Sequence, residues 1–307
     1  MTKVFIDGKA GTTGLRIYER LAKRNDIEIV SLSEELRKDV SARKDAINSA
    51  DVVFLCLPDD AAREAVALVE NPSTIVIDAS TAHRTCAGWA YGFAELSPEH
   101  RAAVARSKRI ANPGCYASGF IALVYPLVKA GIVQSNYPFV CHAVSGYSGG
   151  GKKAIEQYEA AQREKSFDTP RLYALGLEHK HLPEMMKVCS LTQKPVFNPY
   201  ICDYYNGMLV SVPLFLSFLP RRTGVEELKT LYREHYRGSR FVTVGAEESG
   251  FLAANALNDT NGLEIFVNGN AEQVVLSARL DNLGKGASGA AVQNMNIALG
   301  LDEGKGL

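Results

Sequence analysis

The segment that decides the fold class lies near the start of the chain, where residues 3–14 read KVFIDGKAGTTG. The first five of these residues favour a short buried strand, and residues 15–24 have the apolar spacing of an amphipathic helix. The GxxGxxG pattern between them lets the backbone approach a pyrophosphate, and the helix start supplies N–H donors and a positive dipole. We therefore predict a dinucleotide-binding turn, with an ordinary glycine-rich turn as the alternative. The residues expected to contact the cofactor here are Gly8, Gly11, Thr12, Thr13 and Gly14.

Strand and helix patterns alternate from this turn to about residue 117. Residues 51–58 and 74–78 are apolar runs of the kind that form fully buried parallel strands. The alternation predicts an α/β fold with a doubly wound parallel sheet, a Rossmann dinucleotide-binding domain. The polar loop at residues 79–84 follows one of these strands, which places Ser80 and Arg84 at the ligand crevice.

The end of the second strand indicates which dinucleotide is bound. An acidic residue there would bond the ribose hydroxyls of NAD, but the chain has Ser31 and Ser33, with Arg37 downstream. Hydroxyls and basic groups suit a 2′-phosphate, so we predict NADP(H). The neighbouring Glu34 and Glu35 leave a solvated charged loop as the alternative.

A second informative segment is RIANPGCYASG at residues 109–119. The Pro-Gly pair predicts a sharp bend directly before Cys115, and mostly apolar or small residues then continue to residue 130 as a buried helix. In the first turn of a helix a thiol ionises more easily than a free one, and a thiolate there is a nucleophile. A buried structural cysteine is the alternative.

Beyond this helix the pattern becomes sheet-rich. Residues 137–144, 208–216, 263–267 and 273–279 predict strands of a mixed or antiparallel sheet, an α+β catalytic domain. We expect a Rossmann domain over residues 1–117 plus 282–307, and a catalytic and oligomerisation domain over 118–281. The glycine-rich residues 281–296 are expected to return to the first domain, so that Asn282 and Gly286 reach the nicotinamide.

Two further segments of the second domain carry polar groups. The glycine-rich loop at residues 145–152 can bring Ser148 close to a ligand, although a flexible connector would have the same composition. His179 and His181 flank a lysine, between Glu178 and Glu184. This spacing is poor for zinc, and we predict no metal, but a histidine here could act as a general acid or base.

Composition excludes several classes of protein. Lys+Arg and Asp+Glu both number 34, which gives no electrostatic bias toward nucleic acid or an anionic membrane. No apolar run approaches the roughly 20 residues of a membrane span, and no signal-peptide pattern is present. The six scattered cysteines favour free thiols in a reducing cytoplasm.

Five segments of the chain, in this order, resemble the N-acetyl-gamma-glutamyl-phosphate reductase family. They are the glycine turn, the Asn-Pro-Gly-Cys-Tyr segment, the glycine-rich loop, the His-Lys-His-Leu-Pro-Glu segment and residues 281–296. That family is related to aspartate-semialdehyde dehydrogenase, and the resemblance covers essentially the whole chain. Two departures are Ser118, where the family more often has threonine, and residues 81–84, Thr-Ala-His-Arg, where it usually has Ala-Asp-Phe-Arg.

The resemblance implies a function in arginine biosynthesis. Cys115 would bind the acyl group of N-acetyl-gamma-glutamyl phosphate as a thioester, and NADPH would reduce this thioester to the semialdehyde. His181, or else His179, would protonate the thiolate-bound intermediate or accept the proton of the Cys115 thiol. It also implies a homotetramer or a homodimer. The residues expected to bind the substrate are Arg84, Asn112, Ser148, Lys152 and Glu184, with Arg221 as a further basic candidate.

Other functions remain open from the sequence. A related aspartate-semialdehyde or lysine-pathway dehydrogenase would use the same cysteine and histidine. A non-catalytic NADP-binding redox sensor would use Cys115 as a switch. A cysteine acyltransferase or hydrolase without a cofactor would leave the glycine turn unexplained.

Overall fold

The computed structural model describes residues 1–245 and 250–307. The chain divides into two compact units, Met1–Gly114 with Ala287–Leu307, and Cys115–Gly286. Up to residue 114 the first unit contains β1 Thr2–Asp7, α1 Thr12–Leu21, β2 Ile27–Val30, α2 Val40–Ser49, β3 Val52–Leu55, α3 Asp59–Ala67, β4 Ile75–Asp78, β5 Ala90–Tyr91, α4 Pro98–Arg106 and β6 Arg109–Ala111.

The second unit contains α5 Cys115–Lys129, β7 Val140–Gly146, α6 Gly151–Tyr158, β8 Arg171–Leu172, α7 Leu182–Val188, β9 Val196–Cys202, β10 Met208–Phe215, α8 Val225–His235, β11 Val242–Val244, β12 Leu263–Gly269 and β13 Gln273–Leu280. A π-helical turn at Gly284–Ser288 precedes α9 Gly289–Ala298, which belongs to the first unit. Short 3-10 turns lie at Leu36–Lys38, Ala94–Leu96, Tyr147–Gly150, Lys165–Asp168 and Leu216–Phe218.

The first unit is built on a six-stranded sheet in the order β2-β1-β3-β4-β6-β5, with every neighbouring pair parallel. From β1 the chain moves outward to β2 on one side and then returns to β3 on the other. Ligands of such sheets bind at the carboxyl ends of the strands where the order reverses. The topology therefore predicts a ligand site at the loop after β1.

Apolar residues on both faces of this sheet hold its helices. Val4 and Ile6 of β1 belong to one buried cluster with Ile17 of α1, and residues of α9 join the same cluster. Phe5, between them, lies in the opposite cluster with Ile47 of α2. Because successive side chains of a strand point to opposite faces, a continuous apolar run buries both faces. The predicted doubly wound parallel sheet is confirmed.

The second unit is built on a seven-stranded mixed sheet in the order β11-β12-β13-β10-β7-β9-β8. The pairs β7–β9 and β11–β12 are parallel, and the others are antiparallel. Helix α5 packs closely on β10, since a Cβ at Gly119 would lie 2.6 Å from Cγ2 of Val210. The predicted mixed sheet of the second domain is confirmed.

Helix α5 contains Pro126, which has no N–H to donate to the carbonyl of Ala122, four residues earlier. The hydroxyl of Tyr236 donates to that carbonyl at 2.8 Å, and Tyr232 donates to the next carbonyl, that of Leu123. Tyr236, the residue after α8, therefore supplies the hydrogen bond that the proline removes. Among the residues described, no helix combines the length and apolarity that a membrane span requires.

Candidate functional site

The glycine turn after β1 brings backbone close to backbone. Gly8 has a φ of +86°, and a Cβ there would lie 2.2 Å from the carbonyl oxygen of Cys56, which follows β3. A Cβ at Gly14 would lie 2.5 Å from the carbonyl oxygen of Gly8. Gly11 is the N-cap of α1 and has no capping side chain. The turn therefore presents a bare helix start at the switch point of the sheet, as pyrophosphate binding requires.

A cavity of about 440 Å³ lies against this turn. It is lined by Gly8 and by Ser31, Glu34, Arg37 and Lys38 of the segment after β2. Nη1 of Arg37 lies 2.7 Å from Oε2 of Glu34, and both side chains are exposed. An exposed ion pair contributes little, so the guanidinium can turn toward a ligand phosphate at small cost. The cavity fits the adenosine phosphate end of NADP.

Three cofactor-contact candidates lie beside this cavity. Helix α1 begins at Thr12, followed by Thr13, at the point where the glycine turn ends. Ser33 accepts the backbone N–H groups of Leu36 and Arg37 through its carbonyl, so it starts the short turn that presents the basic side chains.

The loop after β4 is organised around the buried carboxylate of Asp78. This carboxylate accepts a hydrogen bond from Oγ of Ser80 at 2.8 Å and lies 2.6 Å from Nδ1 of His83. The ring of His83 stacks on Trp89 with ring centroids 4.1 Å apart. The Ser80 hydroxyl is thus engaged with Asp78, and His83, a departure from the family pattern, has a structural partner on each side.

Arg84 and Asn112 support the loops at the same end of the first sheet. Nε of Arg84 donates to the carbonyl of Asn112 at 2.9 Å, and Nη2 donates to the carbonyl of Ala79 at 3.0 Å. The amide of Asn112 donates to the carbonyl of Ala287 and accepts from Asn294. Both side chains are buried, so they fix the backbone that leads to α5.

Cys115 is the first residue of α5 and is half-buried. A Cβ at Gly286 would lie 2.7 Å from Cβ of Cys115, so glycine is required where the π-helical turn passes the thiol. Burial raises the pKa of four other cysteines and keeps them in the unreactive thiol form: Cys56 (to about 12), Cys141, Cys189 and Cys202. Cys115 therefore differs from them in both position and surroundings.

The two predicted histidines lie at the same end of α5 as Cys115. Their rings are 4.7 Å apart, with His181 buried directly before α7 and His179 half-buried. The ring of Tyr116, the residue after Cys115, lies 5.7 Å from the His179 ring and 6.0 Å from the His181 ring. The thiol and the histidines thus flank one buried tyrosine.

Asn282 and Ser148, predicted from separate segments, are in direct contact. Nδ2 of Asn282 donates to Oγ of Ser148 at 2.9 Å, and its Oδ1 accepts the backbone N–H of Gly207 at 2.8 Å. The preceding Asp281 is buried, and its carboxylate accepts the N–H of Leu283. These bonds fix the segment after β13 that leads to Gly286.

The other substrate-binding candidates differ in exposure. Glu184 lies in the first turn of α7 and is buried. Lys152 on α6 is exposed, with its Nζ 4.0 Å from Glu156. Arg221 is exposed and forms an ion pair with Glu227. Of these residues, Glu184 is near His181 in sequence and shares its burial.

Sequence reasoning missed three hydroxyl residues of the second unit. The side chains of Tyr173 and Ser145 are hydrogen-bond partners of Tyr116. Tyr173 follows β8 and Ser145 belongs to β7, so no single motif contains all three residues.

Comparisons with known proteins identify the family of the chain. The family described as "Semialdehyde dehydrogenase, NAD binding domain" matches residues 3–104, and "Semialdehyde dehydrogenase, dimerisation domain" matches residues 115–282. The chain is 48% identical to N-acetyl-gamma-glutamyl-phosphate reductase of Trichormus variabilis, over 99% of each chain. It is 49% identical to N-acetyl-gamma-glutamyl-phosphate reductase 2 of Pseudomonas putida, over 99% of this chain and 98% of that one.

Solved structures with little sequence identity share the fold. Aspartate semialdehyde dehydrogenase II of Vibrio cholerae, complexed with ASA, aligns with a TM-score of 0.73 at 14% identity, over 97% of this chain and 98% of that one. Aspartate semialdehyde dehydrogenase of Candida albicans with NADP aligns with a TM-score of 0.68 at 16% identity, over the same shares of the two chains. With relatives at nearly half identity over almost their full length, the chain belongs to the N-acetyl-gamma-glutamyl-phosphate reductase family.

Proposed function

We propose that the chain is an NADPH-dependent oxidoreductase that converts N-acetyl-gamma-glutamyl phosphate to N-acetylglutamate 5-semialdehyde and phosphate in arginine biosynthesis. The observation that carries the proposal is the placement of Cys115 at the start of α5, directly before a tyrosine whose ring lies near two histidines. Relatives that match almost the full chain are named N-acetyl-gamma-glutamyl-phosphate reductase. A nucleophile, a proton carrier and a dinucleotide turn are the parts that reduction of an acyl phosphate needs.

The reaction begins at the sulfur of Cys115. The dipole at the start of α5 favours the thiolate, which attacks the acyl carbon, forms a C–S bond and expels phosphate. The resulting thioester is a better hydride acceptor than a carboxylate. NADPH, when bound, supplies the hydride, and the C–S bond then breaks to give the aldehyde and the Cys115 thiolate.

The chain's own residues bind and orient the reactants. The glycine turn and the basic side chains of Arg37 and Lys38 hold the cofactor phosphates, with Ser31 at the ribose. We assign the proton transfer at the Cys115 thiol to His181. Ser148, ordered by Asn282, and Glu184 are proposed to contact the polar groups of the substrate.

The basic groups proposed for the substrate anions are unequal. Arg84 donates to two backbone carbonyls, so it would act on an anion through its charge while it fixes the loop. Lys152 is exposed at the start of α6, where its flexible side chain can reach an incoming phosphate. Arg221 is committed to Glu227 and is the weakest candidate of the three.

We further propose that the protein is a homodimer or homotetramer. Phe215 of β10 and Val275 of the neighbouring β13 are 49% and 41% exposed on one face of the second sheet, and Phe218 is 68% exposed. Adjacent exposed apolar side chains are typical of an interface. Val275→Glu should reduce the mass measured by sedimentation, whereas a wild-type chain that is a stable, active monomer would contradict the proposal.

Free thiols at all six cysteines support a reducing compartment, and we propose the cytoplasm. Fractionation of cells that express the untagged protein tests this placement. Recovery with a periplasmic or membrane marker would contradict it.

The experiment that tests the activity is the reverse reaction, oxidation of N-acetylglutamate semialdehyde with NADP and phosphate. We expect a rate that requires phosphate, is higher with NADP than with NAD, exceeds that with aspartate semialdehyde, and disappears in Cys115→Ala. Cys86→Ala, which removes an exposed cysteine, is the matched control and should retain the rate. Activity that survives Cys115→Ala would remove the cysteine from its role.

A further inference from the structure

The hydrogen bonds of the His179 ring decide which of its two nitrogens carries a proton. The backbone N–H of His181 donates to Nδ1 of His179 at 3.1 Å. A nitrogen that accepts a hydrogen bond holds a lone pair, so Nδ1 of His179 carries no proton. Neutral His179 must then carry its single proton on Nε2.

The partner of that proton is a tyrosine. Nε2 of His179 lies 3.3 Å from Oη of Tyr173. Because Nε2 carries the proton, it donates and the Tyr173 oxygen accepts. The reverse arrangement would require lone pairs on both ring nitrogens, which is the imidazolate anion and is excluded at ordinary pH.

The Tyr173 hydroxyl has a second side-chain partner besides His179. Tyr173 and Tyr116 are hydrogen-bonded to each other through their side chains, and Tyr116 is also hydrogen-bonded to the side chain of Ser145. Oγ of Ser145 donates to the carbonyl of Gly146 at 3.1 Å. The hydroxyl that accepts from His179 therefore belongs to a group of hydrogen-bonded side chains that reaches the backbone at Gly146.

The tyrosines in this chain keep their protons. Burial raises the pKa of Tyr116 well above its usual range, and the charge of the neighbouring Cys115 raises it further. Burial likewise raises the pKa of Tyr173, and Cys115 adds to the effect. Both phenols thus remain neutral donors while Cys115 changes its charge.

We propose that His179 is a positioning residue, held neutral and Nε2-protonated by its contacts with the backbone N–H of His181 and the hydroxyl of Tyr173, and that His181 alone transfers the proton at Cys115. Protonating Nδ1 of His179 would set two N–H groups against each other and break the bond that orients the backbone of His181. The inference rests on the proposed function for its kinetic consequences, but the protonation state of His179 is independent of it.

The direct test is nuclear magnetic resonance of the full chain labelled with nitrogen-15 histidine, with the His179 signals identified by their loss in His179→Asn. We expect Nδ1 of His179 to remain unprotonated and Nε2 to remain protonated between about pH 6 and pH 9. A proton on Nδ1, or titration of this ring in that range, would overturn the proposal even if the protein had no reductase activity.

The kinetic test uses three variants in the reverse reaction. His179→Asn keeps an acceptor for the His181 N–H and should lose about tenfold in kcat, while the shape of the pH profile of kcat/KM persists. His181→Asn should lose at least about 100-fold and the limb of the profile that it causes. If His179→Asn instead removed that limb, His179 would be the acid–base residue.

The third variant removes the contact with the tyrosine. Tyr173→Phe should lower kcat about three- to tenfold with KM changed less than about twofold, since one neutral hydrogen bond is lost. Tyr125→Phe, on the same helix as Tyr116 but near its other end, is the matched control and should match the wild type. Equal losses in the two variants would contradict a specific role for Tyr173. Absence of wild-type activity would count against the proposed function instead.

Discussion

The two units of this protein form their sites in different ways. In the first unit the proposed cofactor site is formed by backbone, because a Cβ at Gly8 or at Gly14 would lie 2.2 or 2.5 Å from a carbonyl oxygen. In the second unit the proposed catalytic site is formed by side chains from α5, β7 and the segment between β8 and α7. A backbone site is contiguous in sequence and readable as a motif, whereas a side-chain site depends on where the fold brings distant segments.

The largest effect expected from this contrast is at Gly8. Gly8→Ala places a Cβ against the carbonyl of Cys56 at a φ of +86°, and we expect the Kd for NADPH to rise by about 100-fold or more. Fluorescence titration with NADPH measures the Kd. Phosphate release from the acyl phosphate without NADPH measures the attack of Cys115 on the acyl carbon, and this release should persist in Gly8→Ala.

Gly88→Ala is the matched control for that change. Gly88 has a φ of +80° but no atom within 4 Å of a built Cβ, so it reports the cost of backbone conformation alone. It should leave NADPH binding nearly unchanged. If both variants bound NADPH like the wild type, the glycine turn would not contact the cofactor.

The next effect concerns the helix that presents Cys115. Tyr236→Phe leaves the buried carbonyl of Ala122 without its donor, and we expect a loss of about 1–3 kcal/mol in the free energy of unfolding. Urea denaturation measures it. The same change in a Pro126→Ala background should cost less, because the introduced alanine would supply the missing N–H within α5. Equal costs in both backgrounds would contradict the compensation.

The smallest effect expected is at the cofactor's 2′-phosphate. Arg37→Ala should raise the KM for NADPH about tenfold and leave the KM for NADH nearly unchanged, since a charged hydrogen bond to phosphate is lost. Arg16→Ala, also a basic residue of the first unit but paired with Glu19, is the control. An equal loss for both cofactors would place Arg37 away from the 2′-phosphate.

The same contrast explains which features the sequence predicted. The parallel sheet followed from apolar runs such as that of β3, because strands buried on both faces show no alternation. Strand β9 was not predicted, since Asn198 and Pro199 argue against a strand, yet it pairs with β7 along its whole length. Its pairing is set by tertiary structure, which overrides local preference.

The candidate site residues also differ in how far the sequence predicts them. Cys115 and His181 could be proposed from the sequence because each stands in a short distinctive segment. Tyr173 was not found, since its contact with His179 depends on the loop between β8 and α7, in which Ala174 and Leu177 both have positive φ. A loop of that kind has no periodicity from which the direction of a side chain could be predicted.

The measurement that tests the central claim most directly is phosphate release from N-acetyl-gamma-glutamyl phosphate in the absence of NADPH, followed by mass spectrometry of the protein. The thioester account predicts a rapid burst of one phosphate per chain, an acyl group on the peptide that contains Cys115, and neither in Cys115→Ala. A burst that persists in Cys115→Ala, or an acyl group on a different residue, would contradict it.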